Sequence, residues 1–203
     1  MDNIDLLIDN ISKGLGDFQK NIDSLKSHGE KAIIALLNAK ATHIPGNRDG
    51  RDSVTDILTA ISEISKDHKE FVLNLFSEEL NKSNEQQKYI SSLAWTLSAI
   101  DSKQVVPLLI KGLKHENKWI RWACCESLLR IKDVNSISGL ITALGDRSSL
   151  VKSTAIEALS EFGTSEVIPH LEKLSRSKNK EISENARKAI ESINRRIHSH
   201  KPT

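Results

Sequence analysis

The chain is expected to fold as an all-α superhelix of stacked helical hairpins, about five pairs, and three observations predict it. Apolar residues recur every 31 positions through the C-terminal half, their spacing within each repeat is helical, and the stretches between them are short and polar.

The period is read from columns. Val106, Ile137 and Ile168 fall in register, as do Leu109, Leu140 and Leu171; Ile120, Val151 and Ile182; Leu128, Leu159 and Ile190; and Ile131, Phe162 and Ile193. A sixth column holds the small residues Cys124, Ala155 and Ala186. Such columns arise when each unit can hide its apolar side only against the next unit.

Taken from the N-terminus, the first element is a helix around Ile4 to Phe18, an atypical cap of the kind that closes a repeat array. Ala32 to Ala39, then Val54, Ile57, Leu58, Ile61 and Ile64, read as an irregular helical pair. The loop joining its two members, Pro45 to Ser53, carries two glycines and alternating charge. Arg48 and Arg51 are its candidate contact residues, against the plainer reading of a connector that ends in a cap at Asp52 or Ser53. Its spacing does not fit a calcium loop.

Regular repeats are expected over 67–195. Val72, Leu75, Phe76 and Leu80 mark a first helix, and Tyr89, Leu93, Leu97 and Ile100 continue the second-helix columns. Val106, Leu109, Ile110 and Leu113 then form one stripe, and Ile120, Cys124, Leu128 and Ile131 another. The turns Lys114 to Lys118, Gly145 to Ser149 and Ser175 to Lys180 are too short for anything but antiparallel hairpins. Pro107 and Pro169 fall in first turns, where a missing N–H costs little. Residues 1–66 thus form a cap with an irregular pair, 67–195 the repeats, and 196–203 a basic, frayed tail.

Composition excludes several classes. Hydrophobic residues make up 38% and charged residues 28% of 203, with four prolines and nine glycines, so a packed core is expected rather than disorder or a fibrous chain. The acidic start and the absence of a long apolar run predict a soluble, cytoplasmic protein with no membrane partner. The net charge of +2 conceals a basic C-terminal end, with eight Lys or Arg against three Glu in residues 175–203. That end suits an acidic partner or simply complements a helix dipole. Cys124 and Cys125 are adjacent and point about 100° apart on a helix, so they are expected to be reduced core residues.

With these columns in place, a resemblance emerges. Ile120-Arg121 followed by Cys124, Cys125 and Leu128, and Val151-Lys152 followed by Ala155 and Leu159, resemble the Val-Arg-x-x-Ala-Ala-x-x-Leu core of short HEAT-like repeats of the bilin-lyase type. Asp146 matches the Asp common in the turn before that core, where His115 and Ser177 stand in the neighbouring units. The resemblance implies an α-α superhelix whose second helices line the concave surface. It covers 67–195 well and says little about function, because the family includes scaffolds, chromophore lyases, base-excision glycosylases and inhibitors.

On those second helices, Trp119, Trp122, Glu126 and Arg130 share a face distinct from the core stripe. Trp95 stands in the Glu126 column one repeat earlier, and Glu157 and Glu161 extend the face one repeat later. A cluster of all three tryptophans would mark a protein interface, and the competing reading is that Trp95 and Trp122 fill grooves between helices. The face is mixed and slightly acidic, with Glu184 and Lys188 in the last repeat, which suits a protein better than a phosphate backbone.

Chemistry is poorly represented. The seven histidines are scattered, no phosphate loop, nucleophile elbow or zincin helix appears, and His115-Glu116 is a single pair where HEAT-repeat di-iron hydroxylases need several. No catalytic residue, metal or cofactor is expected. The reading is a non-catalytic protein-binding solenoid, monomeric alone, such as a small inhibitor or immunity protein that neutralises a toxin or nuclease. The alternative is a DNA-binding or alkylpurine-glycosylase-like protein, motivated by the tryptophans, Arg121, Arg130 and the basic end, with Glu126 as its only carboxylate candidate.

Overall fold

A computed structural model describes residues 4–42, 53–82, 89–100 and 103–199. Twelve α-helices are found among them, paired as hairpins, so the chain is an all-α repeat solenoid. They divide into two compact units, residues 1–102 and 103–203, each taken by itself below.

In the first unit the expected cap helix proves to be two. α1 (Ile4–Lys13) ends where Gly14 and Gly16 adopt φ of 64° and 71°, and α2 (Phe18–Lys26) begins after Asp17, whose carboxylate accepts the Lys20 N–H at 3.0 Å. The Leu15 N–H reaches back to the Asn10 carbonyl and the Gly14 N–H to that of Ile11, a Schellman closure that needs a residue tolerant of the left-handed region. A continuous helix to Phe18 is therefore ruled out, and the cap is a hairpin. It is followed by α3 (Glu30–Thr42) with α4 (Ser53–Ser65), and α5 (Lys69–Leu80) with α6 (Ile90–Leu97). α4 packs on α1, α2, α3 and α6, and its Ile57, Ile61 and Ile64 are fully buried. Arg48 and Arg51 lie outside the described residues.

The second unit is the regular one. First helices α7 (Val105–Gly112), α9 (Ile137–Ala143) and α11 (Ile168–Leu174) pair with second helices α8 (Lys118–Ile131), α10 (Ser149–Phe162) and α12 (Lys180–Ser199). Each hairpin hides its apolar side on the next. Ile120, Val151 and Ile182 are at most 2% exposed, and Leu109, Leu140, Leu171, Cys124, Ala155 and Ala186 are fully buried. The second helices pack on one another more extensively than the first helices do, so α8, α10 and α12 form the tighter layer. Ile168, Ile190, Ile131 and Phe162 are only half-buried, at the edges of the seam.

α12 runs on to Ser199, past residue 196 where the frayed tail was expected to begin. Arg196 explains the extension: its guanidinium donates to the carbonyls of Ser160 at 2.8 Å and Gly163 at 2.6 Å, satisfying the open end of α10. Both cysteines are free and buried. Burial pushes the Cys125 thiol up to about 12 and raises that of Cys124 well above its ordinary value, so neither forms a ready thiolate. No described helix is long and apolar enough to cross a membrane.

Candidate protein-docking face

The candidate face lies on α8 and α10, and its most exposed apolar member is Trp119. Asn117 caps α8, accepting the Trp119 N–H at 2.9 Å, which places Trp119 in the first turn with its side chain away from the Ile120 seam. Trp119 is 52% exposed. One turn on, the half-buried Trp122 meets it edge to face, ring centroids 6.2 Å apart and planes at 84°, while the Lys118 ammonium sits 4.9 Å from the Trp119 ring centre. An aromatic pair so arranged is held in position yet open to solvent.

The next position along the face is the half-buried Glu126, one turn beyond Trp122. Burial and then the charge of Glu157 raise its carboxyl above the ordinary value, and Arg130 and Trp122 only partly oppose them. Arg130, Glu157 and Glu161 are exposed, and Glu161 forms an ion pair with Lys132. On α12, Glu184 pairs with Lys188 at 2.7 Å.

Leu150 belongs to the same face and was not singled out in the sequence. It is 39% exposed and occupies on α10 the column that Trp119 occupies on α8. That register was the signal that could have revealed it.

Of the three tryptophans, the structure brings Trp119 and Trp122 into ring contact. Trp95 is half-buried on α6 of the first unit, where it has contacts of its own.

Arg121, read as a possible phosphate contact, is buried inside the second unit. Its Nε and one terminal nitrogen grip Asp146 at 2.6 and 2.9 Å, and its other terminal nitrogen donates to the His115 and Glu116 carbonyls at 2.7 and 2.6 Å. All three guanidinium nitrogens are thus engaged within the protein, and the buried side chain is out of reach of a phosphate backbone. Burial alone would push the Asp146 carboxyl up. The Arg121 hydrogen bond, the Ser148 N–H and the charges of Arg121 and Arg147 outweigh burial and hold it below its ordinary value. Arg147 also donates to the Glu116 carbonyl, at 2.5 Å. His115 lies in this turn with its imidazole pKa lowered by burial and by Arg121, and its Nδ1 accepts the Asn117 N–H. Among the described residues no group of three or more His, Cys, Asp or Glu could hold a metal ion.

Comparisons with known proteins bear on the fold. The family of HEAT repeats matches residues 73–146 and 130–193, more than half of the chain. No curated protein matches it. Among solved structures, a designed armadillo repeat protein in complex with the peptide (KR)4 is similar at 20% identity and a TM-score of 0.53, over 92% of this chain and 90% of that one. A computationally designed armadillo repeat protein for modular peptide recognition is similar at 20% identity and 0.51, over 93% and 99%. An engineered protein is similar at 17% identity and 0.52, over 96% and 98%.

Proposed function

We propose, from the premise that the chain belongs to the HEAT-repeat family, that it is a non-catalytic solenoid that holds another protein or peptide on the second-helix layer of its C-terminal unit. The observation that carries this reading is Trp119. A large aromatic ring left 52% exposed beside a second tryptophan and the exposed Leu150 is unfavourable in water and favourable under a partner, where Trp is a frequent source of binding energy. The tighter packing of α8, α10 and α12 supports reading that layer as the inner side of the repeat stack, on which a segment would lie. The armadillo designs of similar fold, one in complex with a peptide, support the idea that a scaffold of this kind can be used in that way.

Nucleic acid is the poorer occupant. Arg121 is consumed by Asp146, and the face carries Glu126, Glu157 and Glu161 against Arg130 and Lys118. The narrower reading is an inhibitor or immunity protein, acting in the cytoplasm as a free monomer, whose acidic and aromatic face covers the basic cleft of a toxin or nuclease. The finer likeness to bilin-lyase-type repeats rests on the Ile120-to-Leu128 and Val151-to-Leu159 motifs, and the family match is to HEAT repeats in general.

The test is affinity. The protein that co-purifies from the native source is identified, reconstituted with the pure chain and titrated calorimetrically. Trp119→Ala is expected to weaken the complex about tenfold or more, as for a central aromatic contact, with the thermal midpoint little changed. Unchanged affinity in that variant, or recovery of nucleic acid alone, would overturn the reading.

A further inference from the structure

On the second helices α8, α10 and α12 the exposed large apolar side chains are Trp119 and Leu150, and both sit in first turns. Those two turns are joined through one carboxylate. Asp146, in the turn before α10, accepts the Arg121 Nε–H at 2.6 Å on one oxygen, and on the other an Arg121 terminal N–H at 2.9 Å and the Ser148 N–H at 2.7 Å. Arg121 in turn donates to the His115 and Glu116 carbonyls at 2.7 and 2.6 Å, and Arg147 reaches the Glu116 carbonyl at 2.5 Å, so the turn before α8 is held as well. Asn117, which caps α8 and accepts the Trp119 N–H at 2.9 Å, follows directly on the gripped carbonyls. Side chains in one column of adjacent packed helices stand about 8–10 Å apart. The lock fixes that spacing at the helix ends, which otherwise fray.

Stacking does not need this lock. One repeat on, Lys152 and Ser177 stand in the Arg121 and Asp146 columns, and α12 still packs on α10 with Ile182 and Ala186 buried. In that repeat the column of Trp119 and Leu150 holds Glu181. Within this unit the lock and the exposed apolar pair therefore occur together and lapse together. A buried ion pair adds little stability over an apolar pair of similar size, whereas the planar guanidinium fork fixes geometry closely.

We infer that Arg121 and Asp146 are positioning residues of the docking face, holding Trp119 and Leu150 at the separation at which one bound protein segment meets both. The inference rests on the face proposed above and adds the device that sets its geometry.

Two conservative variants test it. Asp146→Asn keeps an acceptor for the Ser148 N–H, and Arg121→Lys keeps the charge but loses the fork. Each is titrated with the reconstituted partner at a temperature at which circular dichroism shows it fully folded, beside the wild type, Trp119→Ala and the control Ser177→Ala. Both lock variants are expected to bind about fivefold to tenfold more weakly, with Ser177→Ala unchanged. In a Trp119→Ala background the Asp146→Asn loss should shrink to less than about twofold, because the lock acts through that side chain. A further readout needs no partner: with 5-fluorotryptophan incorporated, the Trp119 fluorine resonance, assigned with Trp119→Phe, is expected to shift or broaden in both lock variants while that of Trp95 stays. Variants that melt earlier but bind as the wild type does, a loss of the same size with and without Trp119, or an unmoved Trp119 resonance would show a purely structural ion pair and overturn the inference. If Trp119→Ala weakens the complex and the lock variants do not, the positioning role falls and the docking face stands. If Trp119→Ala has no effect either, both fall.

Discussion

The junction between α8 and α10 and the junction between α10 and α12 share one apolar plan and differ in their polar locks. In both, a fully buried leucine from each first helix and a small residue from each second helix close the seam. At the first junction the lock sits near the N-terminal ends of the second helices, where Arg121 joins Asp146 to the His115 and Glu116 carbonyls. At the second, Lys152 and Ser177 stand in those columns, and the Ser177 hydroxyl accepts the Asn179 N–H instead. The lock there is at the other end, where Arg196 and Ser192 reach the carbonyls that close α10. Stacking is therefore a property of the repeat, whereas locking is added junction by junction with whatever residues the local sequence offers.

The largest difference should appear on breaking the first lock. Asp146→Ala leaves a buried guanidinium without its counter-ion, and a loss of about 3–5 kcal/mol in denaturant-derived stability is expected. The equivalent change in the next repeat, Ser177→Ala, should cost far less; equal losses would erase the distinction between the junctions. The same lock sets an acid limit. Because the folded Asp146 carboxyl is held below its ordinary value, its contribution is present above the unfolded pKa and is lost as pH falls below about 4 through the folded pKa. Acid titration of the wild type against Asp146→Ala should show the two stabilities converging at low pH, and parallel curves would argue against the assignment.

At the second junction, Arg196→Ala removes two charge-assisted bonds to the end of α10, and about 1–3 kcal/mol is expected. Hydrogen exchange should rise first in α12 and in the last turn of α10. A uniform rise over all three repeats would mean that the lock is not local.

The smallest effect has the opposite sign. Lys132 closes α8 at φ 54°, a conformation costly for a side-chain-bearing residue, while the corresponding Gly163 closes α10 at φ −64°. Lys132→Gly should gain up to about 1 kcal/mol, since the exposed pair with Glu161 that it sacrifices is worth little. A loss would show that the pair contributes more to this junction than the backbone strain costs.

The stacking was legible and the locks were not. Apolar columns repeat, so Ile120, Val151 and Ile182 could be placed in one seam from the sequence alone. Arg121 and Asp146 are 25 positions apart, occur as a pair once, and look like surface charges until the helices are in place. Arg196 was assigned to a tail for the same reason. The N-terminal hairpin turns on Gly14 and Gly16, whose left-handed conformation shows only in the structure, while the apolar spacing on either side reads as one helix. On the candidate face, the shared surface of Trp119, Trp122 and Glu126 followed from helical spacing. The exposure of Trp119 and Leu150 did not, because it depends on how far each helix end projects beyond its neighbour.

The docking face is tested most directly by hydrogen exchange of the full chain, free and bound to its reconstituted protein partner. Protection is expected in 118–131 and 149–162, strongest in the first turns that carry Trp119 and Leu150. Protection confined to the first unit, with α8 and α10 exchanging as they do in the free chain, would contradict it.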